Sequence, residues 1–199
     1  MPQNNKNKDS APMNWQQSVI MYLHDLVYLL LGLLVVFLLV FRLIVVSGDS
    51  MYDTLVDGDY LLLLSNTFYR EPEHGDIVVI SKHSYDNGAP IVKRVIASEG
   101  QTVDIDFIQG IVYVDGLALE EDYIYSPTTV YEGVNFPVVV DEGGYFVLGD
   151  NRGVSKDSRS PEIGMVDQRE ILGKALFLLL PGTNHGNSPM EFDRIGVIK

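Results

Sequence analysis

The chain has 199 residues, 14 of them basic and 27 acidic, for a formal net charge of −13, and it has no cysteine. An acidic surface of this kind repels phosphates and argues against nucleic acid as a partner. Without cysteine there is neither a disulfide framework nor a thiolate metal site. The four histidines, His24, His74, His83 and His185, have no ligand spacing, so no metal and no other cofactor is expected.

In chain order, residues 1–18 are polar and rich in Asn, Gln and Lys, and read as a disordered cytoplasmic tail. Residues 19–45 read as a transmembrane anchor. From Leu26 to Phe41 no residue is charged. Such a helix is roughly 24 Å long against a hydrocarbon core of roughly 30 Å. Val19–Leu23 and Leu43–Val46 extend it, giving one span over about Met21–Ile44 with Arg42 snorkelling to the interface. A buried core helix is the alternative; an apolar surface all round, interrupted only by Gly32, disfavours it. A cleavable signal peptide is a second alternative, but the run exceeds the usual apolar stretch of roughly 7–15 residues. Residues 1–46 hold Lys6, Lys8 and Arg42 against Asp9 and Asp25, leaving 11 basic and 25 acidic residues beyond. This asymmetry places the N-terminus in the cytoplasm and the following domain outside, with Arg42 on the wrong side for the rule.

Residues 46–199 read as one extracytoplasmic, β-rich domain. Short runs rich in Val, Ile and Tyr occur at Asp59–Ser65, Asp76–Ser81, Ile91–Ala97, Thr102–Phe107, Ile111–Val114, Phe136–Val140, Tyr145–Leu148 and Ile171–Leu180, with turn pairs such as Asn87-Gly88 and Asp115-Gly116 between them. No long stretch has helical period. An all-β fold of coiled, barrel-like antiparallel sheets is predicted, carried on one N-terminal transmembrane helix. Leu61–Leu64 and Ala175–Leu180 are apolar enough to be strands buried on both faces, or a hydrophobic rim resting on lipid. Residues 120–135 read as an insertion or long hairpin without an assigned role.

Three segments carry candidate chemistry. Ser50 lies in the loop Ser47–Leu55, soon after the anchor; a serine in a Gly/Asp-rich loop is ordinarily a turn or cap residue. Lys93 lies in Ile91–Ala97, where alternation puts it on one face with Ile91 and Val95, and Arg94 on the other with Val92 and Ile96. A solvated lysine near pKa 10.4 is neutral in only about one molecule in 2,500 at pH 7, so a basic role requires desolvation. The third segment, Gly149–Arg159, is a polar loop without calcium-loop spacing.

Taken in order, SM-x-x-TL at Ser50–Leu55, GDIVV at Gly75–Val79, VKRVI at Val92–Ile96, GDNR-x-x-S-x-D-S-R at Gly149–Arg159 and the tail Arg194–Ile198 resemble the bacterial type I signal peptidase family. The resemblance implies Ser50 as nucleophile, Lys93 as general base and the Ser50 N–H at the oxyanion. It implies Ser155 as the serine that orients the lysine, and Asp157 and Arg159, with Arg94, as ion-paired support, Asp150 and Asn151 being architectural. It implies signal peptides of exported preproteins as substrates, cut after Ala-x-Ala-like small residues, with the lipid bilayer as the other partner and the protein a monomer. Three positions depart from the family pattern. Asp53 stands where proline is usual, Gly48 where some members have a serine that aids the oxyanion, and Ala97–Gln101 where Gly-x-Pro-Gly-Asp is usual.

Overall fold

The computed structural model describes residues 15–198. Residues 1–14 of the expected tail, with Lys6 and Lys8, lie outside the described residues. The chain divides into two compact units, residues 1–39 and 40–199.

The first unit is carried by helix α1 (Trp15–Val40, 26 residues), none of whose residues is buried. Leu, Val and Phe side chains are exposed along its length, Leu30, Leu34 and Leu38 among them. This removes the buried-core alternative. At 1.5 Å per residue α1 is about 39 Å long, enough to cross a bilayer core, and an apolar surface on every side suits lipid rather than water. It begins before the predicted span and ends earlier.

The early end corrects the boundary of the span. Phe41–Val45 form strand β1, paired antiparallel with β2 (Tyr60–Ser65) from Phe41↔Leu64 to Val45↔Tyr60. A short apolar run reads equally as helix or strand, and here pairing with a neighbouring strand decides. Arg42 is therefore an exposed strand residue rather than the end of a helix.

The remaining strands are β3 (Ile77–Ile80), β4 (Ile91–Ser98), β5 (Thr102–Asp106), β6 (Ile111–Val114), β7 (Leu117–Ala118), β8 (Val138–Val139), β9 (Gly144–Leu148), β10 (Val166–Asp167), β11 (Ile171–Leu180) and β12 (Gly196–Val197). The larger sheet runs β1-β2-β11-β3-β4-β9-β10, with β12 on β11; the smaller runs β7-β6-β5-β8. Every strand pair is antiparallel. The predicted all-β class is what the second unit has.

The core has three parts. Ile77 and Val79 of β3 join Met51, Leu55, Leu61 and Leu63 in one cluster, while Val78 and Ile80 join Val95, Val147 and Ile171 in another. Strand β3 is thus buried on both faces, and its unbroken IVVI run follows from that. The third cluster seats Ile96, Ala97, Phe146 and Leu148 of the larger sheet with Val103, Ile105, Val112 and Val114 of the smaller. A bulge between Val95 and Ala97 re-aims β4 there.

The two leucine-rich runs differ from β3. In β2, Leu61 and Leu63 are buried and alternate with half-buried Leu62 and Leu64. In β11, Ala175 and Leu178 are buried whereas Leu179 and Leu180 are exposed. One face therefore packs into the core. Leu43, Val45, Tyr60, Leu180 and Val197 remain exposed.

Candidate active site

The loop carrying Ser50 is held from below by apolar anchors and from above by backbone hydrogen bonds. Met51 and Leu55, each 1% exposed, drop into the first core cluster. Leu55 N–H donates to Met51 O at 2.8 Å and Tyr52 N–H to Asp49 O at 3.1 Å, closing the turn. Gly48 has φ +86, and its N–H donates to Asp57 Oδ1 at 2.9 Å. That left-handed conformation favours glycine, which accounts locally for the absence of a serine at position 48. Asp53 is exposed.

Strand β4 brings Lys93 to this loop. Lys93 Nζ lies 2.7 Å from Ser50 Oγ and 2.9 Å from Val92 O. Lys93 is 2% exposed. It shares a face with Ile91 and Val95, which belong to one cluster, while Val92 and Ile96 on the other face belong to the other two. The predicted alternation holds. Burial drives the lysine down to about 8 from 10.5, against the opposing pull of the Asp157 and Asp150 carboxylates. At pH 7 about one lysine in ten is then neutral, compared with about one in 2,500 in water.

The third segment closes over both residues. Asn151 N–H donates to Ser50 O at 3.0 Å, and Asn151 Nδ2 to Asp49 O at 3.1 Å. Gly149 is essential to this approach. A β-carbon there would lie 2.2 Å from Ser155 Oγ and 2.4 Å from Ser50 O. Ser155 is thus packed beside the Ser50 backbone, fully buried, but its Oγ has no hydrogen-bond partner. The expected hydrogen bond from Ser155 to the lysine is not formed. The Ser50 N–H, too, has no partner among the described residues and is free to donate to an oxyanion.

Two separate buried ion pairs support the site. Asp157 receives Arg159 Nε and Nη2, both at 2.8 Å, and the Gly149 N–H at 3.1 Å. Arg94 contributes to this support through a second pair rather than through Asp157. It forms its own bidentate contact to Asp150, with Nε–Oδ1 at 2.9 Å and Nη2–Oδ2 at 2.7 Å, while Thr54 Oγ1 donates to Asp150 Oδ2 at 2.6 Å. Asp150 therefore ties β4, the Ser50 loop and the third segment to one another.

Two supports were not foreseen. The 120–135 segment is a buttress rather than a free insertion. Glu121 and Thr128 hold the fully buried Arg152 guanidinium, which also donates to Gly149 O at 3.0 Å. Tyr125 N–H donates to Asp150 O at 3.0 Å. On the other side, buried Asp59 accepts from Val56 N, Gly182 N and both Nη of Arg194, and Arg194 Nη2 reaches Thr54 O at 3.3 Å. The only sequence signal for this was the family-like tail from Arg194. Among the described residues no group of His, Asp and Glu converges to hold a metal ion.

An open groove of about 290 Å³ runs past the pair, lined by Ser47, Gly48, Ser50, Ile91, Lys93 and Val154. In β4, Arg94 to Ser98 pair with β9, but Ile91 to Lys93 pair only with β3. That leaves a free backbone edge along the groove, where an extended peptide can add as a strand.

Comparison with known proteins places the chain in a family. Residues 19–180 match the family model described as signal peptidase, peptidase S26. Signal peptidase I of Bacillus amyloliquefaciens is 34% identical over 184 residues, covering 88% of this chain and 89% of that one. Probable signal peptidase I-1 of a Synechocystis species is 40% identical over 149 residues, covering 71% and 72%. Among solved structures, a signal peptidase I from Enterococcus faecalis is 34% identical, covers 52% of this chain and 96% of that one, and superposes with a TM-score of 0.43. The match to the family model spans most of the chain, and the chain belongs to the signal peptidase family, peptidase S26.

Proposed function

We propose that this chain is a serine endopeptidase that removes N-terminal signal peptides from exported preproteins, with Ser50 as nucleophile and Lys93 as general base. The observation that carries the reading is the 2.7 Å approach of Ser50 Oγ to a lysine that is 2% exposed. Neutral Lys93 takes the Ser50 hydroxyl proton as Oγ adds to the scissile carbonyl. The oxyanion is met by the Ser50 N–H. Collapse breaks the C–N bond, and the proton on Lys93 passes to the departing amine, the new N-terminus of the mature chain. Lys93, neutral again, takes a proton from water as the hydroxide adds to the acyl-enzyme. Collapse of that second adduct returns the proton to Ser50 and releases the signal peptide as a carboxylic acid.

The groove beside the free edge of β4 suits an extended segment with small side chains, in keeping with the Ala-x-Ala rule that the resemblance implies. Helix α1 suits a single membrane anchor. Lys6 and Lys8 before it and the acidic domain after it favour a cytoplasmic N-terminus and an extracytoplasmic catalytic domain. The exposed apolar residues of β1, β2 and β11 favour contact of that domain with the bilayer surface. The working form is taken as a monomer. The test is cleavage of several unrelated preproteins by the purified full chain in detergent. Wild type releases each mature chain at a site following a small residue, and Ser50→Ala does not. Cleavage by Ser50→Ala would overturn the reading.

A further inference from the structure

Residues 182–188 form a loop packed against the turn that carries Ser50. The contact is close at the backbone. Gly182 N–H donates to Asp59 Oδ1 at 2.7 Å, and Asn184 N–H donates to Asp57 O at 3.2 Å. A β-carbon on Gly182 would lie 2.2 Å from Asp57 O, so the approach requires glycine. Asn184 and His185 then take left-handed backbone, with φ +46 and +58. Two such residues in succession are unfavourable, and they persist where the surrounding contacts hold them. Asn187 N–H donates to Asn184 O and Ser188 N–H to Thr183 O, both at 3.0 Å, and these bonds close the loop.

This bend places the His185 ring between two carboxylates. Nε2 lies 2.9 Å from Asp49 Oδ1, and Nδ1 lies 3.3 Å from Asp57 Oδ2. The two aspartates flank one turn, Asp49 directly before Ser50 and Asp57 after Leu55. Asp57 also accepts from the Gly48 N–H through its other oxygen, at 2.9 Å. One ring thus links both ends of the turn to the 182–188 loop.

We propose that His185 is a positioning residue for the nucleophile: by clasping Asp49 and Asp57 it fixes the Asp49–Ser50 peptide, whose N–H meets the oxyanion. The inference rests on the Ser50–Lys93 reading above. Asp49 O is already held by Tyr52 N–H and Asn151 Nδ2, both at 3.1 Å. The Asp49 side chain is the remaining handle on that peptide, and His185 holds it. A small rotation of the peptide turns the Ser50 N–H away from the oxyanion, a contact strengthened only in the transition state. The His185 and Asp49 side chains are 46% and 47% exposed. Ion pairs so exposed add little to stability, so the clasp acts on the geometry of the reaction and not on folding.

The test is peptide kinetics and thermal unfolding of the full chain in detergent, for wild type, His185→Asn, Asp49→Asn and the double variant. Asparagine adopts left-handed backbone readily, so the loop keeps its path. It has one side-chain nitrogen and cannot offer two to two carboxylates. His185→Asn should lower kcat about ten-fold or more, with KM within about two-fold and Tm within about 4 °C of wild type. Asp49→Asn should lower kcat likewise, and the double variant should be no slower than the slower single one, because both changes break one contact. A wild-type kcat in His185→Asn overturns the inference and leaves the Ser50–Lys93 reading intact. So does a change confined to KM, a loss of rate that tracks a fall in Tm, or losses that multiply in the double variant. Cleavage by Ser50→Ala overturns that reading, and this inference with it.

Discussion

If Lys93 is held largely as a buried ammonium at neutral pH, it costs the fold stability, and replacing it should stabilise the protein while abolishing cleavage. The substitution is Lys93→Met, which keeps the length and apolar stem of the side chain. The displacement from 10.5 to about 8 corresponds to roughly 3 kcal/mol at about 1.36 kcal/mol per unit. Part of this is offset, because Val92 O loses the donor it has at 2.9 Å; the expected net gain is about 1–3 kcal/mol. For a domain of this size each kcal/mol is worth about 2–4 °C in Tm. The sign follows from linkage. The folded-state pKa lies below the unfolded one, so between about 8 and 10.5 the unfolded chain binds the extra proton. Wild-type stability therefore carries the full cost below pH 8 and recovers it as pH rises toward 10.5. Urea or thermal unfolding of the two proteins at pH 7 and at pH 10.5 reads this directly. The variant should be more stable at pH 7, with the difference shrinking at pH 10.5. A variant that is less stable at pH 7, or a difference that does not change with pH, would refute the reasoning.

Two further substitutions probe the supports. Arg94→Ala leaves the Asp150 carboxylate buried with Thr54 as its side-chain donor, and should cost about 3–5 kcal/mol in urea unfolding; adding Asp150→Asn should recover part of that loss. Gly149→Ala places a β-carbon 2.4 Å from Ser50 O, so the Ser50 loop must move, and kcat should fall by about a hundred-fold or more with KM little changed, as read by peptide kinetics.

Much of this was legible locally, and the limits are physical. The strand runs at Ile77–Ile80, Ile91–Ser98, Ile111–Val114 and Ile171–Leu180 are found where alternation and β-branched residues put them. Alternation also placed Lys93 with Ile91 and Val95, because the face of a strand is a period-2 property. What alternation cannot supply is a partner. Arg94 was assigned to the right face, but its mate Asp150, 56 residues away, is not marked by any local pattern. Asp59 and Arg194, 135 residues apart, were beyond any local pattern. Glu121 and Thr128 sit in a segment with almost no regular structure, so no periodicity marked them. At Phe41–Val45, five apolar or amphipathic residues continuing from a helix gave no local sign of the turn to a strand; pairing with Tyr60–Leu64 settles it.

The central claim is a covalent intermediate on Ser50 made possible by Lys93. The most direct measurement is intact-mass and peptide-level mass spectrometry of the full chain, quenched during turnover of a signal-peptide substrate. The account predicts an adduct of the acyl fragment on the peptide containing Ser50, absent from Ser50→Ala and from Lys93→Met. An adduct at another residue, or one that forms undiminished in Lys93→Met, would contradict it.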